Sequence, residues 1–519
     1  MQTSPVSKKE TGEIGGSVGA KRIAKNTLML YFRQILIMLV SLYTVRVVLA
    51  TLGTEDYGVY SVVAGVVTMF GFLSNVMATS SQRYFSYAMG QGDDEGLTRT
   101  FGISLTIYLL LMALVLVLAE TIGLWYVNNM LVVPDGRLGA ANWVYQAVVV
   151  SFMFTLVTSP YMASIIAHED MSIYAYMSVL EAGLKLVIVF LLKVIPFDKL
   201  IAYGLLLTAV SAVNTSLYRF YCKRHYAECR FRPLMDKRLF RKMLSFSGWN
   251  LFGTGATMVK TQGGTLVVNL FFGTAVNAAQ GIAASVRNAM LVFSNNFSTA
   301  VRPQLTMLYA AGRDKELAQL LSSSCKLMTY LTLIVVAPLF NNLDFIFGLW
   351  LDEVPEYTTI FVQLLLIESL VESASTPMAT VNQATGRIQV YQAIIGTVLM
   401  LTLPITCALY AAGYPPFTLY AVNVGLMCVV VAIRFFFLLQ ARVDLRFLFK
   451  DAVVPLLVTC ALSFAGAFFV GAGADGLLAW AVHVSATLAI TALLIFLVGL
   501  SSRERGAVWH MVKTKLRRS

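Results

Sequence analysis

Apolar stretches of about 20 residues, bounded by charge, glycine or proline, recur from one end of the chain to the other. They fall at 27–50, 59–79, 101–125, 142–166, 173–194 and 200–221. A basic segment follows, and then come 247–272, 277–301, 321–340, 357–381, 390–411 and 417–439. Two more, 452–470 and 477–500, complete a set of about 14 predicted transmembrane helices. The pattern predicts an all-α polytopic membrane protein. The polar segments between spans are short, about 20 residues at most, so no soluble catalytic domain fits between them. That weighs against membrane glycosyltransferases and polysaccharide polymerases. No G-x-x-x-x-G-K-[ST] phosphate loop occurs, so no ATP hydrolysis of that kind is expected.

Composition agrees. Of 519 residues, 58% are hydrophobic and 13% charged, where soluble chains average about 45–50% and about 25%. A single water-soluble enzyme and a disordered protein are both excluded. The net charge of +12 reads as topology rather than as a nucleic-acid footprint. With the N-terminus inside, the cytoplasmic segments hold roughly 28 Lys and Arg and the outer loops about 3. Both termini and the basic linker are therefore expected in the cytoplasm, with the chain in a bacterial inner membrane. The first 25 residues are polar and lack a signal-peptide pattern, so they read as a disordered cytoplasmic segment and insertion is expected to rely on the first span. The closest cysteines, Cys222 and Cys229, have neither a zinc nor a redox spacing. The four histidines form no metal-like cluster, and no metal or cofactor is expected.

The first two spans align without gaps on the seventh and eighth at an offset of 220 residues. Phe32 falls on Phe252, Gly53-Thr54 on Gly273-Thr274, Ser74-Asn75 on Ser294-Asn295, and Gly92, Asp94 and Leu97 on Gly312, Asp314 and Leu317. Six spans separate the copies, an even number, so the halves are parallel repeats. The expected organisation is a disordered segment at 1–25, an N-lobe at 26–221 and a basic linker at 222–246. A C-lobe at 247–440 follows, then a last helix pair with a basic tail at 441–519. Two such lobes would leave a cleft between them.

The stretches SLYTVRVVLATLGTEDYGVYSVVAGVVTMF, SQRYFSYAMGQGDDEGL, GGTLVVNLFFGTAVNAAQGIAASV and NNFSTAVRPQLTMLYAAGRDKEL carry a resemblance. They are similar to the polysaccharide-type flippases, for O-antigen and capsule repeat units, of the multidrug/oligosaccharidyl-lipid/polysaccharide exporter superfamily. The resemblance runs from about Asn26 to Arg446, and the last two spans fit by count. It implies a V-shaped, two-lobed, MATE-like transporter that moves undecaprenyl-diphosphate-linked sugars across the inner membrane. Relatives that flip the peptidoglycan precursor rely on arginines in the first, second and eighth spans. Arg33 and Arg287 match the first and eighth, but the second span holds no arginine.

A charge at the bilayer centre costs about 2.5–3.5 kcal/mol on insertion scales, so cations inside spans face a cavity, pair or snorkel. Arg219, Arg434 and Lys326 lie close enough to helix ends to snorkel. Lys260 and Arg287 lie mid-span with no such route. Lys185 is also deep, but Glu181 sits one turn before it in the favourable order for a local pair. A neutralised structural pair and a role toward substrate both remain open there. Arg33 and Arg46 are roughly 140° apart on one helix and cannot share a face. Glu368 and Glu372 lie one turn apart and could hold a proton or sodium, or serve as counter-ions to Lys260 or Arg287. The Gly263-Gly264 pair after Lys260 reads as a hinge or as a close-packing site.

Deep cations outnumber uncompensated deep anions in the first helices of the C-lobe, which suits a diphosphate headgroup. The sequence therefore predicts alternating-access flipping of a lipid-linked oligosaccharide, with Arg33, Arg46, Lys185, Lys260 and Arg287 binding it. Coupling to a proton or sodium gradient or to the membrane potential is left open. So are membrane-lipid partners and glycan-assembly proteins. A multidrug or organic-cation antiporter on the same fold is the competing reading. A scaffold or channel is a third.

Overall fold

Lipid offers a backbone no hydrogen-bond partners, so an apolar stretch of membrane length must satisfy its own N–H and C=O groups, and it does so as helix. The computed structural model describes residues 17–68, 70–129, 136–196, 198–230, 236–350, 354–470, 477–502 and 504–506. All regular structure among them is helical. The chain divides into two compact units, one spanning Ala24–Leu251 and the other beginning at Phe252.

The first unit is built on α1 (Ser17–Thr68), α2 (Gly71–Gln91), α3 (Asp94–Leu118), α4 (Leu124–Asn129), α5 (Leu138–Ala167), α6 (Met171–Leu192) and α7 (Lys199–His225). The long helix α8 (Lys237–Ala310) starts in it. The second unit holds the rest of α8 with α9 (Asp314–Phe340), α10 (Leu343–Trp350), α11 (Thr358–Ala384), α12 (Gln389–Met400) and α13 (Thr402–Ala411). It ends with α14 (Thr418–Phe437), α15 (Leu445–Leu448), α16 (Val454–Val470) and α17 (Leu477–Leu494).

Eleven helices among the described residues are long and apolar enough to cross a membrane. The second, seventh and eighth expected spans are helical too; the second is divided between the end of α1 and the start of α2, and the other two lie in more polar parts of α8. α1 is already helical at Ser17, inside the segment read as disordered, while residues 1–16 and 507–519 lie outside the described residues.

The duplication is visible in the backbone. α1 is broken at Gly53 (φ 83°, ψ 169°) and α8 at Gly273 (φ 78°, ψ −170°), 220 residues later. That conformation is essentially restricted to glycine. Gly92 and Gly312 then close the following helices at φ 68° and 67°. Gly92 N donates to Met89 O and Asp93 N to Ala88 O; Gly312 N donates to Tyr309 O and Arg313 N to Leu308 O, the same pair of bonds at the same offset. Further along, Pro160 in α5 and Pro377 in α11 each precede a left-handed residue, Glu169 and Gly386, by the same interval.

Within the first unit, small and hydroxyl residues let α5 and α7 approach closely. Ser151 donates to Thr208 at 3.0 Å, and Thr158 and Thr215 share a 2.7 Å bond. The linker is partly structured. Tyr226, Glu228 and Cys229 are buried, Tyr226 stacks on His168 at 4.0 Å, and Glu228 accepts from Ser164 at 3.2 Å. Residues 231–235 of the linker lie outside the described residues.

In the second unit, α16 and α17 dock on α9. Lys326 is 1% exposed and holds Asp451 at 3.3 Å and Glu504 at 2.7 Å. Tyr330 donates to Gly499 O at 3.0 Å, and Asn342 meets His483 at 3.0 Å. Lys326 therefore does not snorkel; its ammonium is buried between two acids from the last helix pair. Arg434 is likewise turned inward, donating to Ser375 at 2.8 Å.

Candidate functional site

Two intramembrane polar clusters gather the sequence-selected charges, one within each unit. In the second unit, α8 brings Lys260 and Arg287, and α11 brings Glu368 and Glu372. Glu368 and Glu372 are one helical turn apart and so face the same side. Lys260 Nζ donates to Glu368 Oε1 at 2.5 Å, with the two side chains 4% and 3% exposed. Arg287 Nη1 stands 3.6 Å from Glu368 Oε2, and Nη2 stands 4.0 Å from Glu372 Oε2. Glu372 is 35% exposed, so the set runs from a closed pair to an open carboxylate.

This corrects the charge balance expected from sequence. The cations that outnumbered acids in α8 are matched one for one by α11, and the cluster is neutral. A charge so deep must be partnered, and here a distant helix supplies the partner.

In the first unit, α6 carries Tyr174, Ser178, Glu181 and Lys185 at four-residue or near four-residue spacing. Lys185 donates to Glu181 at 2.6 Å, and Asn214 of α7 donates to the other oxygen of Glu181 at 2.9 Å. Arg33 of α1 donates to Ser178 at 3.3 Å and lies 4.5 Å over the Tyr174 ring. Lys185 thus pairs with Glu181, while Arg33 reaches the same helix through Ser178 and Tyr174. Lys185 is 44% exposed, far more open than Lys260. Arg46 is exposed and joins neither cluster; no ion pair to it occurs among the described residues.

The Gly263-Gly264 pair lies in continuous helix; the departure from helical geometry in α8 falls on Gly273. A Cβ at Gly263 would stand 2.5 Å from Leu403 Cδ1, and one at Gly264 would stand 3.2 Å from Leu419 Cδ2. Two leucines leaning on bare Cα atoms account for both glycines.

Sequence reasoning missed Arg83. The second expected span ended at residue 79, whereas α2 continues to Gln91. Arg83 is buried there against Tyr84, Tyr87 and Phe246, with centroid distances of 4.6, 4.8 and 5.3 Å. Its aromatic-flanked motif, QRYFSY, was the available signal.

Neither a protein-family model nor a curated protein matches the sequence. Solved structures do match in fold. A MATE transporter in complex with MaD5 superposes with a TM-score of 0.67 at 14% identity, covering 86% of this chain and 100% of the other. An outward-facing multidrug resistance MATE family transporter of the MOP superfamily gives 0.66 at 14% identity, covering 83% and 96%. A MOP superfamily transporter from Pyrococcus furiosus, described as having a binding pocket of reverse polarity, gives 0.62 at 14% identity, covering 82% and 96%. The chain is a multi-pass membrane protein with the fold of the MATE transporters.

Proposed function

We propose that the chain is a transporter that flips an undecaprenyl-diphosphate-linked oligosaccharide across the bacterial inner membrane by alternating access, with both termini in the cytoplasm. The observation that supports this reading is the gathering of Arg33 and Lys185 on α6 of the first unit, beside Tyr174, Ser178 and Glu181. A diphosphate loses hydration on leaving water. Arginine replaces it by bidentate contact and lysine as a point charge. Asn214 and Tyr174 beside them supply the polar and aromatic surface that sugars use. In the second unit, Arg287 is shared between Glu368 and Glu372, so a proton or sodium ion arriving at one acid would shift the guanidinium toward the other. That is the place we assign to coupling.

The competing reading, export of organic cations, draws on the multidrug transporters that share the fold. It needs an uncompensated acid deep in the membrane. Glu181, Glu368 and Glu372 each face a cation instead.

Depletion of the protein should make lipid-linked oligosaccharide accumulate on the cytoplasmic face. Arg33→Ala with Lys185→Ala should reproduce that accumulation at normal protein abundance, while Glu181→Gln should not. Normal glycan export by the double variant, together with loss of ethidium efflux on depletion, would favour the drug-transport reading.

A further inference from the structure

The turn between α14 and α15 forms a second feature, remote in sequence from both clusters. Arg442, in left-handed conformation at φ 58°, reverses the chain at the end of one span, and the next begins at Leu445. A groove of about 560 Å³ lies along this turn, lined by Phe435, Leu445, Phe447 and Phe449 with Asp444, Arg446 and Lys450. Phe449 is 50% exposed, and the neighbouring Phe436 and Leu439 are 67% and 61% exposed, so apolar surface continues out of the groove.

Arg446 and Lys450 are four residues apart and lie on one helical face. Both are exposed; of the nearby acids, Asp444 shares the groove and Asp451 turns away from it. Asp444 caps its own helix, accepting from Arg446 N at 2.9 Å and Phe447 N at 3.2 Å. Asp451 turns inward to Ser322 at 2.6 Å and Lys326 at 3.3 Å. Among the described residues no carboxylate lies within ion-pair distance of Arg446 or Lys450. Two cations with no ion-pair partner, against the one capping carboxylate of Asp444, thus give a phenylalanine-lined groove a net positive charge at the ends of two membrane spans. A headgroup-level anion with hydrocarbon attached complements both halves. A free anion would leave the rings uncovered, and a zwitterionic headgroup would bring its own cation against the arginine.

We propose that this groove binds an anionic glycerophospholipid, with its phosphate on Arg446 and Lys450 and an acyl chain along Phe435, Phe447 and Phe449. The full-length chain, purified in mixed micelles of phosphatidylglycerol and phosphatidylcholine, would be examined by native mass spectrometry. Wild type should retain phosphatidylglycerol preferentially. Arg446→Gln with Lys450→Gln should lower that retention by roughly fivefold per cation, about 25-fold together. The charge-preserving pair Arg446→Lys and Lys450→Arg should keep it, as should Lys237→Ala with Arg238→Ala elsewhere. Phe447→Ala with Phe449→Ala should weaken retention without removing charge. The proposal is overturned if Gln variants keep the preference, or if the Lys237 and Arg238 control loses it equally. It is also overturned if inorganic phosphate displaces the lipid as well in wild type as in the phenylalanine variants.

Discussion

The two units follow the same path through the backbone and distribute charge in opposite ways. At the Gly53 corner the first unit uses charge. Arg137 Nε donates to Asp56 Oδ1 at 2.7 Å and Nη1 to Asp198 Oδ2 at 2.5 Å, with a further contact to Asp56. At the Gly273 corner the second unit uses rings. Phe271 and Phe272 pack on Tyr410 at 5.4 and 4.8 Å, and the Tyr410 hydroxyl donates to Pro416 O at 2.6 Å. Inside the membrane the order reverses. The second unit pairs Lys260 and Arg287 with Glu368 and Glu372 of a distant helix around a closed Lys260–Glu368 contact, while the first pairs the more exposed Lys185 with Glu181 on its own helix. The repeated feature is the corner that only glycine can turn; the charges placed around it differ, and there the units have diverged.

The sharpest test of that contrast is to remove one carboxylate from each interior. Glu368→Leu strands Lys260 at 4% exposure, and breaking a buried pair costs about 3–5 kcal/mol. Glu181→Leu strands Lys185 less tightly, since that pair lies within one helix and Lys185 is 44% exposed on the protein surface. Thermal unfolding in detergent should show a large loss for the first and a small one for the second. Lys260→Met added to Glu368→Leu should restore most of the loss. Equal losses in the two units would erase the distinction between closed and open clusters.

The corners should behave alike. Gly53→Ala and Gly273→Ala each force a side chain into a glycine-only conformation, costing about 1–3 kcal/mol. Similar drops in melting temperature are expected. A harmless substitution at one corner would show that only the other is held in this conformation.

The Arg137 clasp at the Gly53 corner should be weaker and pH-dependent. Asp198 feels opposing effects: burial raises its pKa, but N–H donors from Ile201 and Leu200 and the Arg137 guanidinium outweigh it, so the net shift is downward. Arg137 is shifted up, chiefly by its hydrogen bond to Asp56. A lowered carboxylate stabilises the fold above its unfolded value, about 3.9, and that contribution is lost as pH falls through the lower folded value. Arg137→Ala should cost about 1 kcal/mol at neutral pH, given its partial exposure. The gap in melting temperature between variant and wild type should narrow as pH drops below about 4. A gap that is constant with pH would mean the contacts are not ionic.

Much of this was readable in the chain. The spans, the duplication and the depth of Lys260 and Arg287 follow from apolar length and from matched residues such as Gly53 and Gly273. Counter-ions for α8 were an open reading of Glu368 and Glu372, resolved only when α11 packed beside it. What stayed hidden were pairs with no local signature. Lys326 finds Asp451 and Glu504 across 125 and 178 residues, and nothing in its own helix announces them. Arg83 was missed because a hydropathy window stops where polar residues begin, while α2 continues to Gln91.

The smallest expected effect separates the two readings of Gly263. As a hinge, its replacement would slow transport and leave folding unchanged. As a contact, its replacement would press a methyl group to within 2.5 Å of Leu403 Cδ1, closer than atoms tolerate. That atom is the end of a flexible side chain, so the leucine can turn away at a cost of about 1 kcal/mol, as an off-rotamer side chain does. Alanine also favours helix over glycine by about 1 kcal/mol, which offsets part of the loss. Gly263→Ala should therefore shift the melting temperature only slightly downward. Gly263→Ala with Leu403→Ala should separate the effects, because the leucine's own contacts are lost in both backgrounds. Relative to Leu403→Ala alone, the added alanine should then stabilise the protein by helix propensity. If it destabilises by the same amount with or without Leu403, the packing account of this glycine fails. The same substitution at Gly264, where the contact is a longer 3.2 Å to Leu419, should give a still smaller shift.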